Sequence, residues 1–126
     1  MPHITASASN PDLTKPGHKT TFRLIANDNA LGAALAIYAH DTLRIKKVAV
    51  IDDRTAYGQG LADVFKATAK EKGIEVVAEE FTTDKATDFM AILTGIKAKK
   101  PDAVFFGGLD AQAGPMLRQL AQLGLT

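Results

Sequence analysis

Apolar residues along the chain fall into short blocks whose period switches between two and about 3.6, and the switch recurs four times. Residues 20–25 (Thr20, Thr21, Phe22, Arg23, Leu24, Ile25) make a β-rich run, closed by the turn-prone Asn27, Asp28 and Asn29. Leu31, Ala34, Leu35 and Tyr38 then fall at helical spacing, which predicts an amphipathic helix over residues 30–43 with Asn29 as its N-cap. Val48, Ala49, Val50 and Ile51 follow without a polar interruption. A continuous apolar strand belongs where both faces of a sheet are covered, so this is a central parallel strand. Leu61, Val64, Phe65 and Thr68 mark the next helix, with Lys70 and Lys72 in its last turn and Gly73 where the chain needs positive φ.

The alternation continues. Residues 74–81 form a strand whose far end carries Glu79 and Glu80, as an edge strand tends to. Asp88 caps a helix with Phe89, Ile92, Leu93 and Ile96 on its apolar face, and Pro101 stops it. Ala103, Val104, Phe105 and Phe106 are another fully apolar strand, ending in Gly107 and Gly108. Met116, Leu117, Leu120 and Leu123 make the last helical face, capped by Gly124. Strands separated by single helices run parallel with right-handed crossovers. The expected fold class is therefore α/β, doubly wound, with a mostly parallel sheet of about four βα units.

Two stretches depart from that pattern. Residues 1–19 are polar, contain Pro2, Pro11 and Pro16, and show no helical period, so an extended segment is expected before the α/β unit of residues 20–126. The sequence stops at Thr126, just past a helix cap, where another strand would be due. Four strands are few for this class, so the expectation is a piece of a larger fold.

Composition narrows the function classes. The chain has 126 residues, 46% of them hydrophobic and 23% charged, which suits one soluble domain with a single core. Fifteen Lys and Arg against fourteen Asp and Glu lack the basic excess of a nucleic-acid binder. Without cysteine there are no disulfides, thiolate metal sites or Cys nucleophiles. No apolar run reaches membrane-spanning length, and the first residues lack the regions of a signal peptide.

In open α/β sheets ligands bind beyond the carboxyl ends of the strands. That rule singles out residues 52–60, which contain Asp52, Asp53, Tyr57, Gly58 and Gly60, and residues 107–112, which contain Leu109, Asp110 and Gln112. The residues alone leave two readings open: a ligand site served by helix N-termini, or plain βα loops with glycine for turns and Asp for capping. Three catalytic readings can be weighed. Asp52 and Asp53 at a strand end suit a receiver-like phosphoacceptor, but that scheme needs a third Asp, which Asp110 matches poorly, and a Lys after a later strand. Gly58, Gln59 and Gly60 could open a dinucleotide fingerprint, but Asp63 stands where Gly or Ala is needed. His3, His18 and His40 have no ligand spacing, and Ser7 and Ser9 have no base nearby, so neither a metal nor a catalytic serine is expected.

Taken in order, the motifs resemble a known family. Residues 4–14 (ITASASNPDLT) with Thr21, Phe22 and Arg23, then 48–53 (VAVIDD), 57–62 (YGQGLA), Asp88 and Phe89, 105–108 (FFGG) and 115–119 (PMLRQ), are similar to the leucine/isoleucine/valine-binding proteins. These are type I periplasmic solute-binding proteins of branched-chain amino-acid ABC transporters. The resemblance runs nearly the whole length and implies most of the second lobe of a bilobed receptor, with residues 1–19 as the end of lobe one and a hinge crossing.

It also implies a site. Ser7, Ala8 and Ser9 match the segment that grips the ligand's ammonium and carboxylate through backbone groups and a hydroxyl, the hydroxyl falling on Ser9. Tyr57 matches the aromatic that covers the ligand. Leu109, with Asp110 beside it, falls on a contact that is aromatic in some members. The implied partners are a free amino acid and, for a full-length parent in the periplasm, a membrane permease, with no cofactor, metal or catalysis. One lobe alone is expected to bind leucine, isoleucine or valine at millimolar strength or not at all. Self-association through an exposed sheet edge or a swapped N-terminal arm is the remaining expectation.

Overall fold

The computed structural model describes residues 1–125. In chain order the elements are β1 (His3–Thr5), a 3-10 turn (Pro11–Leu13), β2 (Thr21–Arg23), α1 (Asp28–Asp41), β3 (Lys47–Asp52), α2 (Ala56–Glu71), β4 (Glu75–Phe81), α3 (Met90–Lys99), β5 (Ala103–Gly107) and α4 (Asp110–Gln122). The main sheet has the order β4-β3-β5 and is parallel throughout. The apolar run of residues 48–51 is its central strand, and each of those four residues is buried. Side chains alternate between its faces. Val48 and Val50 pack with Ala36, Ala39, Phe65 and Ala69 of α1 and α2, whereas Ala49 and Ile51 pack with Phe89, Leu93, Ile96 and Met116 under α3 and α4. Helices therefore cover both faces, which is the doubly wound α/β class. Phe105 of β5 stacks on Phe65 of α2 with ring centroids 4.0 Å apart, an arrangement that adds to simple area burial.

Three expectations need correction. Among the described residues the main sheet holds three strands, not four, because β2 pairs in parallel with β1, His3 opposite Thr21 and Thr5 opposite Arg23. A three-residue strand with an exposed Phe22 has little to gain from joining the core, and Arg23 is spent on backbone carbonyls of the preceding segment. Second, α1 does not bury Leu31, Ala34, Leu35 and Tyr38. Its buried residues are Asp28, Gly32, Ala36 and Ala39. The two helices cross so closely that a Cβ on Gly32 would lie 2.9 Å from Val64 Cβ, so only small residues fit the seam and the larger ones turn outward. Third, the caps shift. Asn27, not Asn29, caps α1 by accepting from Ala30 N–H, and α3 starts after Phe89, with Asp88 accepting from Met90 N–H one position upstream.

The other boundaries follow local chemistry. Thr55 caps α2 by accepting from Gly58 N–H, and Gly73 after it adopts φ +82°. Lys100 takes the left-handed conformation, φ +51°, just before Pro101. Among the described residues no helix is long and apolar enough to cross a membrane.

Candidate functional site

An open cleft of about 660 Å³ lies beyond the carboxyl ends of β3 and β5, where the first turns of α1 and α2 meet the segment that follows β1. The segment is shaped from within. The buried Thr5 hydroxyl accepts from Ala8 N–H at 3.0 Å and Ser7 N–H at 3.4 Å, folding residues 5–8 into a tight turn. Arg23 then clamps it, donating from Nε to the Ala8 carbonyl at 3.1 Å and from Nη2 to the Asn10 carbonyl at 2.8 Å. Two further bonds fix it to the α/β unit: Asp28 N–H donates to the Ser9 carbonyl at 2.9 Å, and Asn10 Nδ2 donates to the Ala56 carbonyl at 3.2 Å. Residues 5–10 thereby become a wall attached to the starts of both helices.

The opposite wall is set by Asp53. Its Oδ1 accepts from Thr55 N–H at 3.0 Å and the Thr55 hydroxyl at 2.6 Å, and its own N–H donates to the Gly107 carbonyl at 3.1 Å. Gly58 of α2 lies directly against the Asp53 carboxylate and the Gly107 carbonyl, leaving no room for a Cβ. Gly58 and Gly107 therefore serve the close approach of α2 to the end of β5. Asp52 accepts from Arg54 N–H at 2.8 Å and shapes the turn. Among the described residues, no group of three or more His, Cys, Asp or Glu is placed to hold a metal ion. The phosphoacceptor alternative thus lacks its acidic triad, and both aspartates have local structural work.

Five of the six residues singled out by the sequence, Ser7, Ala8, Ser9, Tyr57 and Leu109, line this one cleft. Asp110 does not. It begins α4, accepts from Ala111 N–H, and lines a separate hollow beneath that helix together with Leu109, Met116 and Leu117. Asn10, Ile25, Ala26, Leu31 and Ala56 also line the cleft and were not identified from the sequence. Leu31 carried a signal, since its helical spacing was legible, but it pointed to the core instead.

The lining is mostly apolar, with hydroxyl and amide groups from Ser7, Ser9, Asn10 and Tyr57 and no charged side chain. Burial, reinforced by the negative charges of Asp28 and Asp53, pushes the Tyr57 phenol above its ordinary value, so it remains a hydrogen-bond donor at neutral pH. Asp28 is completely buried, and both its carboxylate oxygens lack a partner among the described residues. This arrangement can hold a small molecule with an uncharged aliphatic part and a polar head.

Comparison with known proteins gives a consistent set of similarities. Residues 1–126 match a family described as periplasmic binding protein. An amino acid binding protein of Pseudomonas aeruginosa is 41% identical over 123 residues, 98% of this chain and 33% of that protein. Among solved structures, the leucine binding protein LivK of Thermotoga maritima superposes with a TM-score of 0.91 at 32% identity, covering 98% of this chain and 35% of its own. The branched-chain amino acid transporter substrate binding protein LivJ of Streptococcus pneumoniae, solved with isoleucine, gives 0.89 at 31% identity, covering 100% and 35%. The chain spans about a third of the length of the curated relatives it matches.

Proposed function

The chain belongs to the periplasmic binding protein family, and from that premise we propose that it forms one ligand-contacting wall of a solute-binding protein that captures a branched-chain or related aliphatic amino acid for an ABC importer. The observation that carries the reading is the convergence of Ser7, Ala8, Ser9, Tyr57 and Leu109 on one largely apolar, uncharged cleft. The names of LivK and LivJ, leucine binding and isoleucine-bound, agree with that chemistry.

In this reading the Ala8 amide and carbonyl are already engaged by Thr5 and Arg23. The charged head of the amino acid therefore falls to the Ser9 N–H and the hydroxyls of Ser7 and Ser9, with the first turns of α1 and α2 favouring its carboxylate. The Tyr57 ring and Leu109 pack on the aliphatic part, and Asp110 stands outside the contact. The role proposed for the site is ligand binding without catalysis or cofactor, as the resemblance to solute-binding proteins implies. The partners are a free amino acid and the membrane permease, the setting is the periplasm, and a second copy of the chain is a further partner.

Saturation-transfer NMR on the chain with equal concentrations of leucine, isoleucine, valine, lysine and glutamate tests the class of ligand. Signal transfer to the three aliphatic amino acids and little to the charged two is expected. Equal or stronger transfer to lysine or glutamate overturns the reading, because an uncharged lining cannot offset desolvation of a charged side chain.

A further inference from the structure

We propose that the buried carboxylate of Asp28 is the acceptor toward which the Tyr57 hydroxyl turns when a ligand is held in the cleft. Asp28 is then the positioning residue for the ring that covers the ligand, which rests on the capture function proposed for the cleft. Asp28 is the one charged residue on the buried stripe of α1, which otherwise consists of Gly32, Ala36 and Ala39. It is completely enclosed, and neither carboxylate oxygen has a hydrogen-bond partner among the described residues. A buried carboxylate without a donor is among the costliest of polar groups, and such a cost persists where the group has a task. The missing donor does not come from another part of a longer protein. This chain alone already seals both oxygens from solvent, so an added segment has no route to them without a rearrangement. The donor therefore swings in from the immediate surroundings.

The crossing of α1 and α2 identifies those surroundings. A Cβ on Gly32 would lie 2.9 Å from Val64 Cβ and 3.2 Å from the Leu61 carbonyl oxygen, so Gly32 faces the Leu61 turn of α2. Residues four apart share a helix face. One turn back toward the N-termini, Asp28 stands four residues before Gly32, and Tyr57 four before Leu61. Both helices start at the same end, because Ser9 holds α1 through Asp28 N–H and Asn10 holds α2 through the Ala56 carbonyl. The turns carrying Asp28 and Tyr57 are thus neighbours, and the Asp28 charge is felt at the phenol.

Other side-chain donors at this corner are spent. Asn10 Nδ2 serves the Ala56 carbonyl, the Thr55 hydroxyl serves Asp53 Oδ1, and the Arg23 guanidinium serves the Ala8 and Asn10 carbonyls. Asp53 also bears on Tyr57, but its Oδ1 is taken and its Oδ2 lies toward Gly108, just past the end of β5. Asp28 has both oxygens free, and in the open cleft no hydrogen bond joins it to Tyr57. A rotation of the phenol toward α1 makes that bond and satisfies the carboxylate. It also fixes the ring across the cleft that Tyr57 lines. The unfavourable burial of the open state is relieved on capture, which favours the liganded arrangement.

Three measurements on Asp28→Asn and Tyr57→Phe test this. Both substitutions keep the outline of the side chain, and Asp28→Asn removes an unpartnered charge, so it is expected to melt no lower than the parent. In a Tyr38→Phe background Tyr57 is the only tyrosine, and phenolate absorbance reports its ionisation directly. Burial, with the charges of Asp28 and Asp53, holds that phenol above its ordinary value of 10.0, so Asp28→Asn is expected to move the midpoint down. In leucine titrations followed by NMR, each substitution is expected to weaken binding about fivefold, and the pair no more than either alone, since the two groups act as one. A lower melting temperature for Asp28→Asn, an unmoved phenol midpoint, or additive losses in the double variant overturns the proposal. If the parent itself gives no leucine shifts, the proposed ligand is wrong, and the phenol midpoint and melting temperature alone decide whether Asp28 governs Tyr57.

Discussion

Replacing Gly58 by Ala puts a methyl group where α2, the β3–α2 turn and the end of β5 meet. A Cβ built there falls inside contact distance of Asp53 Oδ1 and of the Gly107 carbonyl oxygen. Neither can step aside cheaply. The Asp53 carboxylate is held by Thr55 N–H and hydroxyl, and the Gly107 carbonyl accepts from Asp53 N–H. Relief requires the start of α2 to move away from β5. Overpacking of this kind costs about 1–3 kcal/mol, and weakening two hydrogen bonds adds about 1–2 kcal/mol. Against this, Gly to Ala inside a helix gains about 1 kcal/mol. The balance is a loss of about 1–4 kcal/mol, whose midpoint corresponds to roughly 10 °C in melting temperature for a domain this size. Circular dichroism melts of Gly58→Ala and Gly95→Ala make the comparison, since Gly95 lies in α3 with nothing within 4 Å of its added Cβ. Gly95→Ala should be neutral or slightly stabilising. If Gly58→Ala melts within about 2 °C of the parent, the close-approach account of these glycines is wrong.

Two other perturbations probe the wall and the base of the fold. Arg23→Gln removes the guanidinium clamp on the Ala8 and Asn10 carbonyls and is expected to cost about 1–2 kcal/mol in urea unfolding; hydrogen exchange should also quicken at residues 7–10, and unchanged exchange there would show the clamp to be idle. Asp102 is held below the ordinary carboxylate range by the backbone N–H groups of Lys46 and Lys47. A depressed folded-state value gives stability that is present above the unfolded value of 3.8 and is lost as pH falls through the folded one. The melting-temperature gap between the parent and Asp102→Asn should therefore be present at neutral pH and close in strong acid; a gap independent of pH contradicts the assignment.

The core strands and helices were legible because their signals are local. An uninterrupted Val48–Ala49–Val50–Ile51 has only one natural home in an α/β sheet, and the Glu79 and Glu80 pair marked an edge. What escaped was set by tertiary packing. In α1 the periodicity of Leu31, Leu35 and Tyr38 was real, but the helix is apolar on more than one side, and the demand for a close crossing at Gly32 chose the other face. β1 escaped because His3, Ile4 and Thr5 are too few to show a period, and their pairing with Thr21–Arg23 is decided by a partner about eighteen residues away. At the cleft, the rule that ligands gather at strand ends singles out the stretches that hold Tyr57, in the first turn of α2, and Leu109, while their roles as contacts come from family resemblance. Ser7, Ala8 and Ser9 are marked as a site by family resemblance alone. Ile25 and Ala26 offered no chemistry to notice, being ordinary apolar residues made into lining by the fold. Arg23 sat in a β-rich run, and nothing in its neighbours disclosed that its guanidinium would hold residues 8–10 in place.

The central claim is that Ser7, Ser9, Tyr57 and Leu109 form a contact surface for an aliphatic amino acid, and residue-resolved titration tests it most directly. Two-dimensional ¹H–¹⁵N spectra of the chain would be followed as L-leucine is added to about 50 mM. A single wall satisfies only part of a zwitterion's hydrogen bonding, so saturation in the millimolar range is expected, with the largest shifts at Ser7, Ser9, Tyr57 and Leu109 and little change at Asp110 or along α3. Absence of any shift at those four residues, or shifts concentrated in the hollow between Met116 and Leu120 instead, would contradict the account.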